Sequence, residues 1–180
     1  MITIDQERPQ DRVEIEALLD AAFGPERSQK SSYKLRAQVS PLANLSTVIR
    51  AEGHVAATVR YTPVHVAGHF MATKSNALLL GPLAVSPLMQ SAGLGSALVQ
   101  HTLEKVDELR HERVFLVGDI KYYQRFGFQP VRPRHISMPC GSDAGRLLVR
   151  SKGDVQNLPL WGELRAGWQL ETPSTALQPA

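Results

Sequence analysis

The chain has 180 residues, 43% of them hydrophobic and 21% charged; this suits a single soluble domain with its own core and argues against disorder. No apolar run approaches the roughly 18 residues that cross a bilayer, and MITIDQERPQ lacks the basic and apolar parts of a signal peptide, so a cytoplasmic protein without a membrane partner is expected. Cys140 is the single cysteine, which excludes an internal disulfide and a cysteine metal cluster, and a net charge of +3 is too mild to argue for nucleic acid.

Ile2 to Asp5 alternates like a short strand. Asp11 is placed to cap a helix through Phe23, with Val13, Ile15, Leu18, Leu19 and Ala22 near helical spacing, and Gly24-Pro25 stops it. Glu26 to Val39 reads as a second, looser helix whose strong apolar positions are Tyr33, Leu35 and Val39. Leu45 to Ala51 is strand-like, Glu52-Gly53 makes a hairpin turn, and His54 to Val66 is a long strand with Pro63 putting its far end at an edge or bulge. Ala77 to Val85, ALLLGPLAV, is continuously apolar and therefore a central strand buried on both faces. Gly81-Pro82 conflicts with that strand, because proline donates no ladder hydrogen bond and an internal glycine marks a bulge or a close approach.

A helix follows from Gly93 to His111, with Leu94, Leu98, Val99, Leu103, Val106 and Leu109 on one face. Val114 to Gly118 is a buried strand, a short helical turn ends at Phe126, an extended segment runs from Gly127 to Met138, and Gly145 to Arg150 suits a last strand. The tail carries Leu158, Leu160, Trp161, Leu164 and Trp168, which would dock on the domain or on a partner subunit; a homodimer is one way to cover them. This order predicts a mixed α/β (α+β) domain with an antiparallel first half and one strand–helix–strand crossover.

Two stretches carry chemistry. In LAVSPLMQSAGLGSALVQ a strand passes through Gln90, Ser91, Ala92, Gly93, Leu94 and Gly95 into a helix. Unpaired N–H groups at a helix start favour an anion, phosphate above all. Gly93 and Gly95 admit positive φ and close backbone approach, while Gln90 and Ser96 offer side-chain donors. Close packing of helix on sheet explains the same glycines equally simply, and neither a Walker loop nor a dinucleotide fingerprint is present. In VFLVGDIKYYQRFGFQP four aromatics crowd a short turn. Phe126 and Phe128 suit core packing, whereas adjacent Tyr122 and Tyr123 point different ways, so at least one faces a cleft, where a phenol can give a proton to a leaving group.

Together these stretches resemble the GNAT superfamily of acyl-CoA N-acyltransferases. Gln90-Ser91-Ala92-Gly93-Leu94-Gly95 is similar to its Gln/Arg-x-x-Gly-x-Gly/Ala loop, and Tyr123-Gln124-Arg125-Phe126-Gly127-Phe128 to its later Tyr-x-x-aromatic/aliphatic-Gly-Phe signature. The combination LGPLAV, LVGD and YYQRFGF is similar to the bacterial YhbS-type branch. The resemblance implies a GNAT-like fold, a mostly antiparallel splayed sheet flanked by helices, over residues 1–150, with 151–180 a C-terminal extension of one domain. It implies acetyl-CoA as co-substrate and no metal: the loop Gln90 to Ser96 on the pyrophosphate, and Leu83, Ala84 and Val85 beside the pantetheine arm.

The resemblance makes Tyr123 the general acid, with Tyr122 the alternative and otherwise on the cofactor side. It gives Asp119 either a cofactor contact or a helix N-cap, and Gly81-Pro82 a bulge that opens the sheet. The acceptor is an amine on a small molecule, a peptide or a protein, chosen by Gly24 to Asn44 and the tail. No general base is evident, since Glu52 sits at a hairpin tip, so a non-catalytic acyl-CoA sensor or interaction module stays open. His65 with His69, His111, Cys140 and an arginine surface of Arg125, Arg132 and Arg134 carry weaker readings.

Overall fold

The structure is a computed structural model and describes residues 1–68, 74–131, 135–139, 145–152, 158–159 and 161–168. Its strands are β1 (Ile2–Gln6), β2 (Thr47–Ala51), β3 (His54–Gly68), β4 (Lys74–Val85), β5 (Arg113–Val117), β6 (Gln129–Pro130), β7 (His135–Ser137), β8 (Leu147–Ser151) and β9 (Trp161–Ala166). Its helices are α1 (Arg12–Phe23), α2 (Ser31–Arg36), α3 (Leu94–Glu108) and α4 (Ile120–Tyr123). One sheet runs in the order β1-β2-β3-β4-β5-β8-β6, with β9 beside β3 and β7 beside β9. Pairing is antiparallel except for β4 with β5 and β7 with β9.

Strand periodicity sorts side chains between two layers. Leu78 and Leu80 of β4, with Val114 and Leu116 of β5, face Leu98, Val99 and Val106 of α3. Ala77, Leu79 and Phe115 point to the other face, where Leu35 of α2 and Leu164 of β9 lie. Ile15, Leu18 and Leu19 of α1 pack there on Val48 and Ala84.

The tertiary structure departs from several expectations. Val13 is 79% exposed and Leu109 47%, so neither belongs to a buried helix face. Asp11 does not cap α1 with its side chain; it accepts from Arg50 and from the Arg8 N–H instead. Glu26 to Val39 is no single helix, because a 3₁₀ turn, Pro25–Gln29, precedes a two-turn α2. The extended segment after Gly127 splits into β6 on β8 and β7 on β9. β8 is not the last strand: β9 joins the same sheet along Val64–Gly68 of β3, burying Leu164. Pro63 lies where β3 has left β2 and not yet met β9, so its missing donor costs no pairing on that side.

Of the weaker sequence readings, His65 donates Nδ1–H to the Gly167 carbonyl at 2.8 Å. His111 lies beyond the end of α3 against Trp168, where burial lowers its pKa. Glu52 bonds the Met1 amine. His69, Arg132, Arg134, Cys140 and Leu160 lie outside the described residues.

Candidate active site

The site is a local failure of sheet pairing. β4 and β5 are hydrogen-bonded only at Leu78↔Val114 and Leu79↔Phe115. Beyond Leu79 they diverge, leaving Leu80–Val85 paired on one edge alone, to β3. The register of β3 against β4 shifts at the same place, with Tyr61 opposite Leu80 but Val59 opposite Leu83. Gly81 and Pro82 thus stand against Arg60 alone, and this bulge turns the β4 edge into the gap. An unpaired edge of backbone donors and acceptors is a template for an extended polar chain.

A cavity of about 730 Å³ fills the gap. Leu80–Leu83 line one wall, Leu116–Asp119 with Tyr122 and Tyr123 the other, and Phe23, Glu26, Lys30, Tyr33 and Arg36 close its far end. That far end comes from the irregular segment between α1 and α2. Spacing along the chain gave no sign of it: Arg36 meets Leu80 across 44 positions. The only available hint was that Gly24 to Asn44 belonged to no motif.

Beyond the end of β4, Ser91 (φ 68°) and Gly93 (φ 78°) turn the chain left-handed into α3, whose first turn has no side-chain cap. Its leading N–H groups point outward with the positive end of the helix dipole, a fit for a phosphate. The two glycines act differently. Gly93 supplies the left-handed turn, and a Cβ there would meet nothing within 4 Å. At Gly95 a Cβ would stand 3.2 Å from Tyr122 Oη and 3.4 Å from Val85 Cγ2, so Gly95 lets α3 close on the aromatic turn. Gln90 to Gly93 are exposed, while Leu94 and Ala84 put their side chains in the core and offer only backbone. Ser96 Oγ lies 3.2 Å from Tyr122 Oη, so its hydroxyl already has a protein partner.

The two tyrosines stand edge to face, 4.8 Å between centroids. Tyr122 spends its hydroxyl on Ser96, and the Arg125 guanidinium lies 4.9 Å from its ring. Tyr123 lies against Gly118 and Phe128. Burial, reinforced by Tyr122, pushes the Tyr123 phenol up to about 12. Asp119 caps α4, accepting the Lys121 N–H at 2.9 Å, while also lining the cavity.

Gly118 holds this arrangement. A Cβ there would fall 2.5 Å from Tyr123 Cε2 and 2.9 Å from Leu116 Cδ1. Gly118→Ala is expected to cost about 1–3 kcal/mol by overpacking, lowering Tm by roughly 2–4 °C per kcal/mol in a chain of this size. It should also lower any activity dependent on Tyr123; a variant with wild-type Tm and rate would show that the ring has room to move.

Among the described residues no group of three His, Cys, Asp or Glu could hold a metal, and no helix is long and apolar enough to cross a membrane.

The sequence pattern of the acetyltransferase (GNAT) family matches residues 12–128. The chain is similar to the uncharacterized N-acetyltransferase YjhQ of Escherichia coli (strain K12), 26% identical over 162 residues, covering 90% of this chain and 79% of that protein. It is 32% identical to the uncharacterized N-acetyltransferase YhbS of the same strain over 123 residues, covering 68% of this chain and 71% of that one. The crystal structure of YhbS from Escherichia coli in complex with CoA superposes with a TM-score of 0.70 and 25% identity, over 92% of this chain and 89% of the other.

Proposed function

Since the chain belongs to the acetyltransferase (GNAT) family, we propose that it moves the acetyl group of acetyl-CoA to a primary amine by direct attack, with Tyr123 as general acid. The observation that carries this reading is the unpaired β4 edge at Leu80–Leu83 facing Tyr123 across one cavity, with the uncapped start of α3 joined to that wall through Ser96 and Tyr122. The CoA bound in the YhbS crystal structure supports the choice of co-substrate.

Acetyl-CoA would supply an activated thioester, whose carbonyl carbon takes the amine lone pair and whose C–S bonding pair leaves on sulfur. Leading N–H groups of α3, with Gln90 and Ser91 beside them, would hold the pyrophosphate. Backbone of Leu83–Val85 would align the pantetheine amides as a further strand would. Over the reaction the amine gives up one proton and sulfur gains one. Tyr123 donates its phenolic proton toward sulfur and recovers one from solvent or the amine. The Asp119 carboxylate, committed to Lys121 N–H, would act on the cofactor side through its position rather than as a base. The amine would enter from the end lined by Phe23, Glu26 and Tyr33, the last two within the Gly24 to Asn44 segment expected to select the acceptor.

Thermal unfolding with acetyl-CoA, and with NAD as control, tests the reading. A ligand at about 100 times its Kd adds about 2.7 kcal/mol, a rise of roughly 5–10 °C for this chain. The rise should vanish in Gly95→Glu, whose side chain would start against Tyr122 and Val85, move the beginning of α3 off the aromatic turn and add a negative charge beside it. No rise at millimolar acetyl-CoA in the wild type would overturn the reading; a rise that survives in Gly95→Glu would move the phosphate elsewhere.

A further inference from the structure

Arg36 has no part in either sequence motif, yet its side chain reaches the point where β4 and β5 part. Its Nη2 donates to the Leu80 carbonyl at 3.2 Å, on the first residue beyond the last β4–β5 pair. A Cβ at Gly81 would fall 2.6 Å from Nη2 and 3.4 Å from Cζ, so the glycine of the bulge leaves the volume that the guanidinium occupies. On its other side the guanidinium lies 5.4 Å from the Tyr33 ring centroid, and that ring also faces Arg27 at 5.3 Å. The Leu80 carbonyl of β4 and the Tyr33 ring of its own helix therefore hold one delocalised charge in place. Arg36 and Tyr123 line the same cavity.

The geometry points to Arg36 as the fixed cation of acyl transfer, a catalytic residue beside which negative charge develops on the acyl oxygen and then on the departing sulfur. This rests on the acetyl-transfer reading above. In the step, the amine nitrogen bonds to the carbonyl carbon, the C=O pair moves onto oxygen and returns, the C–S pair leaves with sulfur, which is protonated through Tyr123, and the proton lost by nitrogen restores the phenol directly or through solvent. No further reactant is needed. A preorganised charge in a partly closed site stabilises such a transition state at no reorganisation cost. The same charge disfavours an ammonium acceptor, lowering the demand for a general base in a cavity whose central strand offers none.

Other charges face this point. Glu26 and Lys30 line the cavity from the segment before α2, and Arg146, Asp119, Tyr122 and Tyr123 line it from the β5 and β8 side. Behind Tyr33 lie Glu16, Arg27 and Arg60, already joined in ion pairs. Arg27 and Arg60 are thus held by carboxylates away from this cavity, whereas Arg36 lines it.

The test uses CoA itself, so it needs no knowledge of the acceptor. The thiol of CoA is titrated by its thiolate absorbance in complexes with wild-type, Arg36→Gln and Arg36→Lys proteins, binding being checked by thermal shift. A neighbouring cation favours thiolate, so the bound thiol should titrate about one pH unit lower in wild type than in Arg36→Gln, with Arg36→Lys between them. Arg36→Gln should also lower kcat by about 10²-fold with the acetyl-CoA KM little changed. Equal thiol titration in proteins that all bind CoA would overturn the proposal and leave the acetyl-transfer reading intact. Absence of CoA binding by the wild type would overturn that reading and the proposal with it. Should Arg36→Gln alone fail to fold, the comparison of wild type with Arg36→Lys decides, because lysine keeps the charge but not the planar seat against Tyr33 and Leu80.

Discussion

Tyr123→Phe is expected to lower kcat by about 10²–10⁴-fold, the contribution typical of one positioned proton donor, with little change in the KM for acetyl-CoA. The ring stays, and with it the edge contacts to Phe126 at 6.5 Å and Phe128 at 5.8 Å and the fit against Gly118. Only the hydroxyl goes, so binding and folding should be spared while the departing sulfur loses its donor. Burial holds the phenol near 12, well above its ordinary 10.0, so the proton is in place at neutral pH. Loss of the acid form should therefore not limit the rate until the pH approaches 12. The stability sign follows. Because the folded pKa is raised, the contribution of the neutral phenol is complete below pH 10 and is lost as the pH rises through about 12. Steady-state rates decide the role: a Phe variant at wild-type kcat would move the acid elsewhere, whereas a rise in KM with kcat unchanged would make Tyr123 a binding residue.

Asp11→Ala is the change expected to cost most stability. The Asp11 side chain is 6% exposed and Arg50 14%. Their two hydrogen bonds, 2.9 and 2.7 Å, join the start of α1 to β2, and the same carboxylate accepts the Arg8 N–H at 2.7 Å. Removing one partner of a buried pair leaves the other charge uncompensated, about 3–5 kcal/mol. The lower end is expected here, because Arg50 keeps Asp5 at 3.3 Å. That is a Tm loss of roughly 6–12 °C. Asp11→Asn, which retains an acceptor for Arg8 N–H, should lose less. Hydrogen bonding to Arg50 holds the Asp11 carboxyl below its ordinary 3.8. The pair's contribution is therefore present above that value and lost as the pH falls through the lower, folded one. Denaturant melts of wild type and Asp11→Ala should converge in acid; a gap that stays constant with pH would mean that the pair's charge contributes nothing.

Much of this molecule was legible along the chain. The apolar run Ala77–Val85, the hairpin at Glu52-Gly53, the amphipathic α3 and the aromatic turn after β5 all appear where period and turn chemistry put them. Errors fell where a residue's fate depends on what packs against it. Val13 and Leu109 have the right spacing but no neighbour to cover them. Asp11 has the right position for a cap, but a guanidinium 39 residues away outcompetes the helix N–H groups. The described residues from Gln129 to Ser137 include two strands, which pair with different partners.

The sequence by itself determined β1 to β5, α1, α3, the short α4 turn and the two motifs, because helix period, strand alternation and left-handed turns at residues such as Gly93 are set within a few neighbouring positions. Only the tertiary structure decided where β4 and β5 stop pairing, that Tyr122 turns its hydroxyl to Ser96, and that Arg36 stands at the bulge of Gly81. Those outcomes rest on contacts between distant segments, and chain spacing carries no record of which segments meet.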